Sequence, residues 1–234
     1  MEQHTIKVIA RIRSEFPAKF GVPRQSGLVP ELRSRVVFEP EYRNPDALRG
    51  IDGFSHLWLI WQFSEAVRED WAPTVRPPRL GGNTRMGVFA TRSPFRPNPI
   101  ALSCVTLERV EWETQEGPVL CVGGADLMDG TPIYDVKPYL PYADAKSGAR
   151  SGFASRRAET VAVDFPPELL ARVPEEQRAA LTGVLSEDPR PRYQDDPARI
   201  YGMAFGALNV RFRVVGDVLR VVEVTESGRD GKHK

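Results

Sequence analysis

The run His56-Leu57-Trp58-Leu59-Ile60-Trp61-Gln62-Phe63 is apolar on both faces and, at eight residues, too short for a packed helix, so it predicts a central strand. Downstream, six prolines and three glycines fall between Trp71 and Pro99. Proline fixes φ and donates no backbone hydrogen bond, so this interval predicts a long irregular loop, broken by a short strand at Gly87-Val88-Phe89-Ala90. Loops of this length in compact domains are functional or disordered, and the Trp, Val, Leu and Phe residues in this one argue for order.

Beyond the loop, Ile100 to Leu107 and Val119 to Val122 are strand candidates, joined by the polar stretch Glu111 to Gly117. Upstream, Ile6, Val8, Ala10 and Ile12 alternate with Lys7, Ile9, Arg11 and Arg13, which predicts an opening strand with one buried face. A turn-rich stretch with Phe20, Gly21, Pro23, Gly27 and Pro30 leads to the short apolar run Val36-Val37-Phe38. Strands separated by Pro/Gly turns, without alternating helices, predict a mainly β barrel or sandwich rather than a doubly wound sheet. No Gly-x-Gly-x-x-Gly follows a strand, so a nucleotide-bearing cofactor would need another binding geometry.

From Tyr142 to Thr160 the composition shifts to Ala, Ser, Gly and Arg, as in a linker. Pro166 to Leu185 then carries Leu169, Leu170, Val173, Ala180, Leu181, Val184 and Leu185 at helical spacing, predicting one amphipathic helix. Ala207 to Val215 and Val218 to Thr225 read as strands joined at Gly216-Asp217, a hairpin pair. The tail from Glu226 is polar. These segments divide the chain into a main β domain over residues 1–145, a linker over 146–160 and a smaller α+β domain over 161–234.

Composition narrows the function. Nothing approaches the roughly 20 apolar residues of a membrane span, and Met1 to Ser14 is studded with charge, so a soluble cytoplasmic protein without a membrane partner is expected. Cys104 and Cys121 lie in apolar runs without metal-ligand spacing, as buried reduced thiols do. His4, His56 and His233 leave little for a His/Cys site, so no metal is expected; His56 itself reads as a hydrogen-bonded core residue. The net charge of +1 hides an asymmetry: Trp71 to Leu107 holds Arg76, Arg79, Arg85, Arg92 and Arg96 with no acid, leaving −4 for the remainder.

Three clusters can carry chemistry. Thr91-Arg92-Ser93-Pro94-Phe95-Arg96-Pro97-Asn98-Pro99-Ile100 is a stiff basic loop suited to an anionic or adenine-bearing ligand, or a connection whose arginines face water. Ala125 to Tyr139 places Asp126, Asp129 and Asp135 around a Gly130-Thr131-Pro132 turn. These carboxylates can accept ribose hydroxyls, a proton or a hard cation, or simply make the turn and cap backbone. Arg190, Arg192 and Tyr193, with Asn209, Arg211 and Arg213, can follow a phosphate backbone or form a solvated face.

Asp52-Gly53-Phe54-Ser55-His56-Leu57-Trp58, the Thr91 to Ile100 loop, and Asp126-Leu127-Met128-Asp129-Gly130-Thr131-Pro132 continuing to Asp135-Val136-Lys137-Pro138-Tyr139-Leu140-Pro141 together resemble the TsaA-like family. Asp188-Pro189-Arg190-Pro191 and Asn209-Val210-Arg211 extend the resemblance to its full-length bacterial branch. The resemblance implies a single-sheeted β-barrel with a small α+β C-terminal domain, working as a homodimer. It implies an S-adenosylmethionine-dependent methyltransferase acting on the exocyclic amine of threonylcarbamoyl-adenosine beside the anticodon of threonine tRNA.

Carried onto matching positions, it implies cofactor contacts at Pro23, Arg24, Gln25, Ser64, Glu65, Arg92, Leu102, Asp129, Gly130, Thr131 and Pro132, with Arg92 and Asp129 as the catalytic pair. Ser64-Glu65 stands where relatives carry His-Gln, and Ala101 where Gly is usual. RNA contacts are expected at Arg76, Arg79, Arg96, Arg190 and Arg211. Two other classes compete: a protein that binds cofactor and RNA without turnover, and a metal-dependent phosphoesterase built on Asp126, Asp129 and Asp135.

Overall fold

A computed structural model describes residues 2–67, 70–81, 83–155, 159–191 and 196–227. Arg192, Tyr193, His233 and the end of the polar tail lie outside the described residues, as does the side chain of Arg79.

Six strands close into a barrel: β1 (Ala10–Arg13), β2 (Arg33–Phe38), β3 (His56–Gln62), β6 (Ile100–Glu111), β7 (Val119–Gly123) and β8 (Pro132–Pro138), in the order β1-β2-β7-β6-β3-β8. Within the long loop, β4 (Thr74–Val75) pairs with β5 (Met86–Gly87). A short helix α1 (Pro141–Asp144) follows the barrel. Then come β9 (Ala162–Asp164), the helices α2 (Pro167–Leu170) and α3 (Glu175–Ser186), and β10 (Tyr201–Phe205), β11 (Leu208–Val215) and β12 (Val218–Glu226), whose strands form a sheet in the order β10-β11-β12-β9. Among the described residues no helix is long and apolar enough to cross a membrane.

The central strand is where expected, bonded to β6 on one side and β8 on the other. Leu57, Leu59 and Trp61 point into the barrel with Ala10, Ile12, Val36, Val105, Leu120 and Ile133. β7 is buried along its whole length. β8 was not expected as a strand because prolines stand at both of its ends; Pro132 opens it, where a missing donor breaks no ladder.

Four other expectations are corrected. The strand at Gly87 to Ala90 ends at Gly87: Val88, 1% exposed, dives into the protein and starts a 3-10 turn through Ala90, so the backbone cannot stay extended. The predicted helix from Pro166 to Leu185 is two helices, because Pro174 lacks the amide a continuous helix needs and disfavours helical geometry at Val173. The opening strand joins its neighbours only from Ile9, whose amide donates to the Ile133 carbonyl; Ile6 is 52% exposed, outside the paired region. His56 is exposed rather than in the core, because it stands at an outward position of β3, with its Nδ1 2.9 Å from Ser55 Oγ. Both cysteines are free, Cys121 buried and Cys104 partly so.

A second core lies under the C-terminal sheet. It joins Leu181 and Leu185 of α3 to Met203, Phe205 and Phe212, and it also takes Phe16, Val29 and Leu32 from the connection between β1 and β2. Helix α3 approaches this connection closely at Gly183, where an added Cβ would lie 2.7 Å from Val29 Cγ1. Alanine ordinarily gains about 1 kcal/mol over glycine inside a helix. Here Val29 is 2% exposed and has no room to retreat, so Gly183→Ala is expected to lower the thermal midpoint. A raised midpoint in a thermal melt would show that the interface yields.

Candidate functional site

Antiparallel pairing decides where the motifs meet. Gln62 lies opposite Ile100, Trp61 opposite Ile133, Arg11 opposite Pro132, Arg13 opposite Arg35 and Arg33 opposite Gly123. The ends of β1, β3 and β7 and the starts of β2, β6 and β8 therefore share one rim. All three connections between them, residues 14–32, 63–99 and 124–131, leave from that rim. They carry every expected cofactor residue except Leu102 and Pro132, which lie in the first few residues of β6 and β8.

At the centre of the rim is a partly buried polar chain. Trp61 Nε1 donates to Ser103 Oγ at 2.9 Å, and Ser103 Oγ donates to Asp126 Oδ1 at 2.5 Å. The Ser26 amide and the Arg92 guanidinium act on the same carboxylate. Arg92 Nη1 in turn donates to Gln25 Oε1. Gln25, Arg92 and Asp126 thus come from three different connections: Arg92 bonds Gln25, and its charge acts on Asp126.

Arg92 is held in place by hydroxyl-stabilised turns. Thr91 Oγ1 donates to the Val88 carbonyl (2.8 Å) and accepts from Ser93 N (3.2 Å), and Ser93 Oγ accepts from Phe95 N (3.2 Å). The stiffness expected of the proline loop therefore has hydroxyl partners as well as prolines.

Asp126 was read only as one of three equivalent aspartates; the structure distinguishes it. Burial raises its pKa above the ordinary 3.8, while the Ser103 hydrogen bond and the Arg92 charge pull it down. A carboxyl with a raised folded pKa holds its proton more tightly in the folded than in the unfolded chain. Its contribution to stability is complete below the unfolded value and is lost as pH rises through the folded one. Asp126→Asn removes that loss, so the variant's melting temperature relative to the parent is expected to rise as pH climbs above the ordinary carboxylate value. A relative midpoint that falls instead would contradict the assignment.

Asp129 sits on the same rim but is tied to β1. Its Oδ1 accepts the Ser14 amide at 3.1 Å, and its Oδ2 lies 4.0 Å from Arg13 Nη1. Gly130 takes φ +74°, a turn conformation that favours glycine, and its carbonyl accepts from Arg11 Nη1. Thr131 and Pro132 are buried at the start of β8. Ser64 and Glu65 are exposed in the turn that follows β3. Leu102 is 52% exposed on the outside of the barrel opposite Ile60, whereas the neighbouring Ser103 points inward. Asp135 also lies apart, paired with Lys137 at 2.8 Å. Among the described residues, no group of three or more acids, histidines or cysteines gathers as a metal site would require.

The C-terminal motif reaches this rim from the side. Pro23 is buried beside Arg24, and Arg24 Nη2 donates to the carbonyls of Asp188 (3.4 Å) and Arg190 (3.3 Å). Arg190 turns its own fork onto the Asp188 carboxylate, at 2.9 and 3.0 Å, with only 12% of its side chain exposed. Arg211 pairs with Glu223 at 3.0 Å on an exposed sheet face. Arg76 is exposed and Arg96 partly so. Ser103 and Trp61 were missed as site residues. The available signal was Ser103 itself, a polar side chain at an inward position of an apolar strand, which demands a buried partner.

Comparison with known proteins adds identity to this geometry. The sequence profile of the tRNA-methyltransferase O N-terminal domain matches residues 11–145, and that of the corresponding C-terminal domain matches residues 158–227. The chain is 43% identical to the Escherichia coli tRNA (adenine(37)-N6)-methyltransferase over 92% of its own length and 94% of that protein's. It is 39% identical, over 94% and 97%, to a Pseudomonas aeruginosa protein provisionally named an S-adenosylmethionine-dependent methyltransferase. The crystal structure of TrmO from P. aeruginosa superposes with a TM-score of 0.78 at 34% identity, covering 97% of this chain and 98% of that one.

Proposed function

Because the chain belongs to the tRNA-methyltransferase O family, we propose that it transfers a methyl group from S-adenosylmethionine to the exocyclic amine of adenosine 37 in tRNA. We take the target to be the threonylcarbamoylated adenosine of threonine tRNA. The observation that carries this reading is the meeting of three connections at one rim, where Arg92 bonds Gln25 and its charge acts on Asp126.

The residues present suit such a cofactor. A cation braced by a partly buried carboxylate can hold an anionic group, and an exposed apolar side chain at Leu102 offers a surface for an adenine. When bound, S-adenosylmethionine supplies a methyl group already activated on a sulfonium. The protein's share is then alignment to about 3–3.5 Å and exclusion of water rather than a nucleophile of its own. Gln25 and Asp126 orient Arg92 toward the cofactor carboxylate or an RNA phosphate. Asp129 to Pro132 and the backbone of Ser64-Glu65 complete the rim. The Asp126 and Asp129 carboxylates are acceptors on this rim for the proton that leaves the amine.

The outer barrel face supports a homodimer. Ile100 is 39% exposed beside Ile60, and an apolar recess of about 470 Å³ opens between Ile60, Ile100, Tyr42 and Tyr134. Contiguous apolar surface of this kind is usually covered by a partner. A tRNA substrate fits the reading of a cytoplasmic protein.

The deciding experiment incubates the purified protein with labelled S-adenosylmethionine and threonine tRNA carrying the unmethylated threonylcarbamoyl group, with nucleosides read by mass spectrometry. Methylated product supports the reading. Binding of both ligands without label transfer would establish the non-catalytic alternative. In the same assay, affinity for tRNA is expected to fall steeply with salt, and Arg76→Glu to weaken tRNA more than cofactor. Equal losses of both would place Arg76 in the cofactor pocket or the fold.

A further inference from the structure

We propose that Trp71 and Phe89 form a platform on which an unpaired base of the RNA substrate stacks, separate from the rim that holds the cofactor. The inference rests on the tRNA reading above and adds the residues that grip the RNA beside the target.

Both rings are unusually open for their size: Trp71 is 50% and Phe89 71% exposed. They face each other at 6.1 Å between centroids and 27° between planes, so two aromatic surfaces stand close to parallel in solvent. Such an arrangement carries a cost in water unless something covers it.

The fold presents these rings rather than leaving them loose. They flank the β4–β5 pair on its two sides, and the Val88 amide donates to the Pro73 carbonyl at 3.0 Å. Val88 is itself 1% exposed, anchoring the turn so that the next residue, Phe89, must point outward. Arg96 holds its guanidinium 6.0 Å from the Phe89 ring centroid while donating to the Thr91 carbonyl at 3.3 Å.

The chemistry of the surroundings selects the occupant. The segment from Trp71 to Leu107 holds five arginines and no acid. Arg85 is fixed on the same hairpin by a 3.2 Å bond to Thr74 Oγ1. Arginines tracking a backbone, with flat aromatic faces between them, are the means by which proteins hold single-stranded nucleic acid, since every base has a π-face. Phe89 is also only three residues from Arg92, so the two Cα atoms lie within about 11 Å of each other. A base stacked here would hold the loop while its neighbour enters the site.

The test uses the full-length protein with Trp71→Ala, Phe89→Ala and Trp71→Phe. Each alanine variant is expected to raise the KM for tRNA by about tenfold to a hundredfold, with cofactor affinity unchanged, and Trp71→Phe to keep most of the parent value. A short unmodified anticodon stem-loop RNA should quench the part of the tryptophan fluorescence that Trp71→Phe removes. An unchanged KM for tRNA in both alanine variants overturns the platform. So does a shift to a smaller oligomer in sedimentation that accompanies the loss, since it would assign these rings to a second copy of the chain. Failure of the parent protein to methylate any tRNA would refute the proposed function instead, and RNA quenching of Trp71 would still be readable on its own.

Discussion

Arg92→Ala is expected to lower kcat/KM for methyl transfer by up to about 100-fold while leaving the melting temperature nearly unchanged. A charge-assisted hydrogen bond contributes about 1.5–3 kcal/mol, and each 1.4 kcal/mol corresponds to tenfold. The arginine is exposed, so its removal opens no core. It does remove the cation that opposes burial at Asp126, and the pKa of that carboxyl should move further up. Two effects then follow in initial-rate measurements with labelled cofactor: a lower plateau, and a pH profile displaced toward higher pH. Arg92→Lys keeps the charge without the planar fork and should recover only part of the rate. Activity within twofold of the parent would remove Arg92 from the site.

The largest expected effect on stability belongs to Phe16→Ala. Phe16 is 1% exposed and meets Phe205 edge-on at 5.7 Å between centroids, inside the core that joins the β1–β2 connection to the C-terminal segments. Truncating a buried phenylalanine costs about 3–5 kcal/mol. For a chain of this size the midpoint should fall by on the order of 10 °C. The Phe16 carbonyl also accepts the Asp129 amide at 2.9 Å, so the substitution loosens one of the loops at the site. A second consequence is therefore weaker cofactor binding by the folded fraction, measurable by calorimetry below the transition. A shift of less than about 3 °C would mean that the two cores are joined by contacts other than Phe16.

Local pattern made most of the barrel and the C-terminal hairpin legible. The apolar run at His56 to Phe63, the alternation in Ile100 to Leu107 and the Gly216-Asp217 turn each state their structure within a few residues. Where a proline stands at a boundary the pattern misleads in both directions. Pro132 and Pro138 disguise a strand that uses them only at its ends, and Pro174 divides one helical periodicity into two helices. The candidate site was half legible. Arg92 and Gln25 lie in stretches whose residue types suggest a ligand or resemble the family's. The Trp61-Ser103-Asp126 chain was invisible because its members are 42 and 23 residues apart and none is remarkable alone.

The sequence by itself determined the strands, the irregular basic loop and the family, because periodicity, proline content and motif spacing are properties of neighbouring residues. Tertiary structure alone decided which motifs share a rim, because antiparallel register sends alternate connections of the barrel to the same end, and register is set by contacts distant along the chain. It also decided roles within the motifs. The period of two along β6 turns Leu102 outward and Ser103 inward to Asp126, and close packing beside the rim gives Arg24 and Arg190 protein partners.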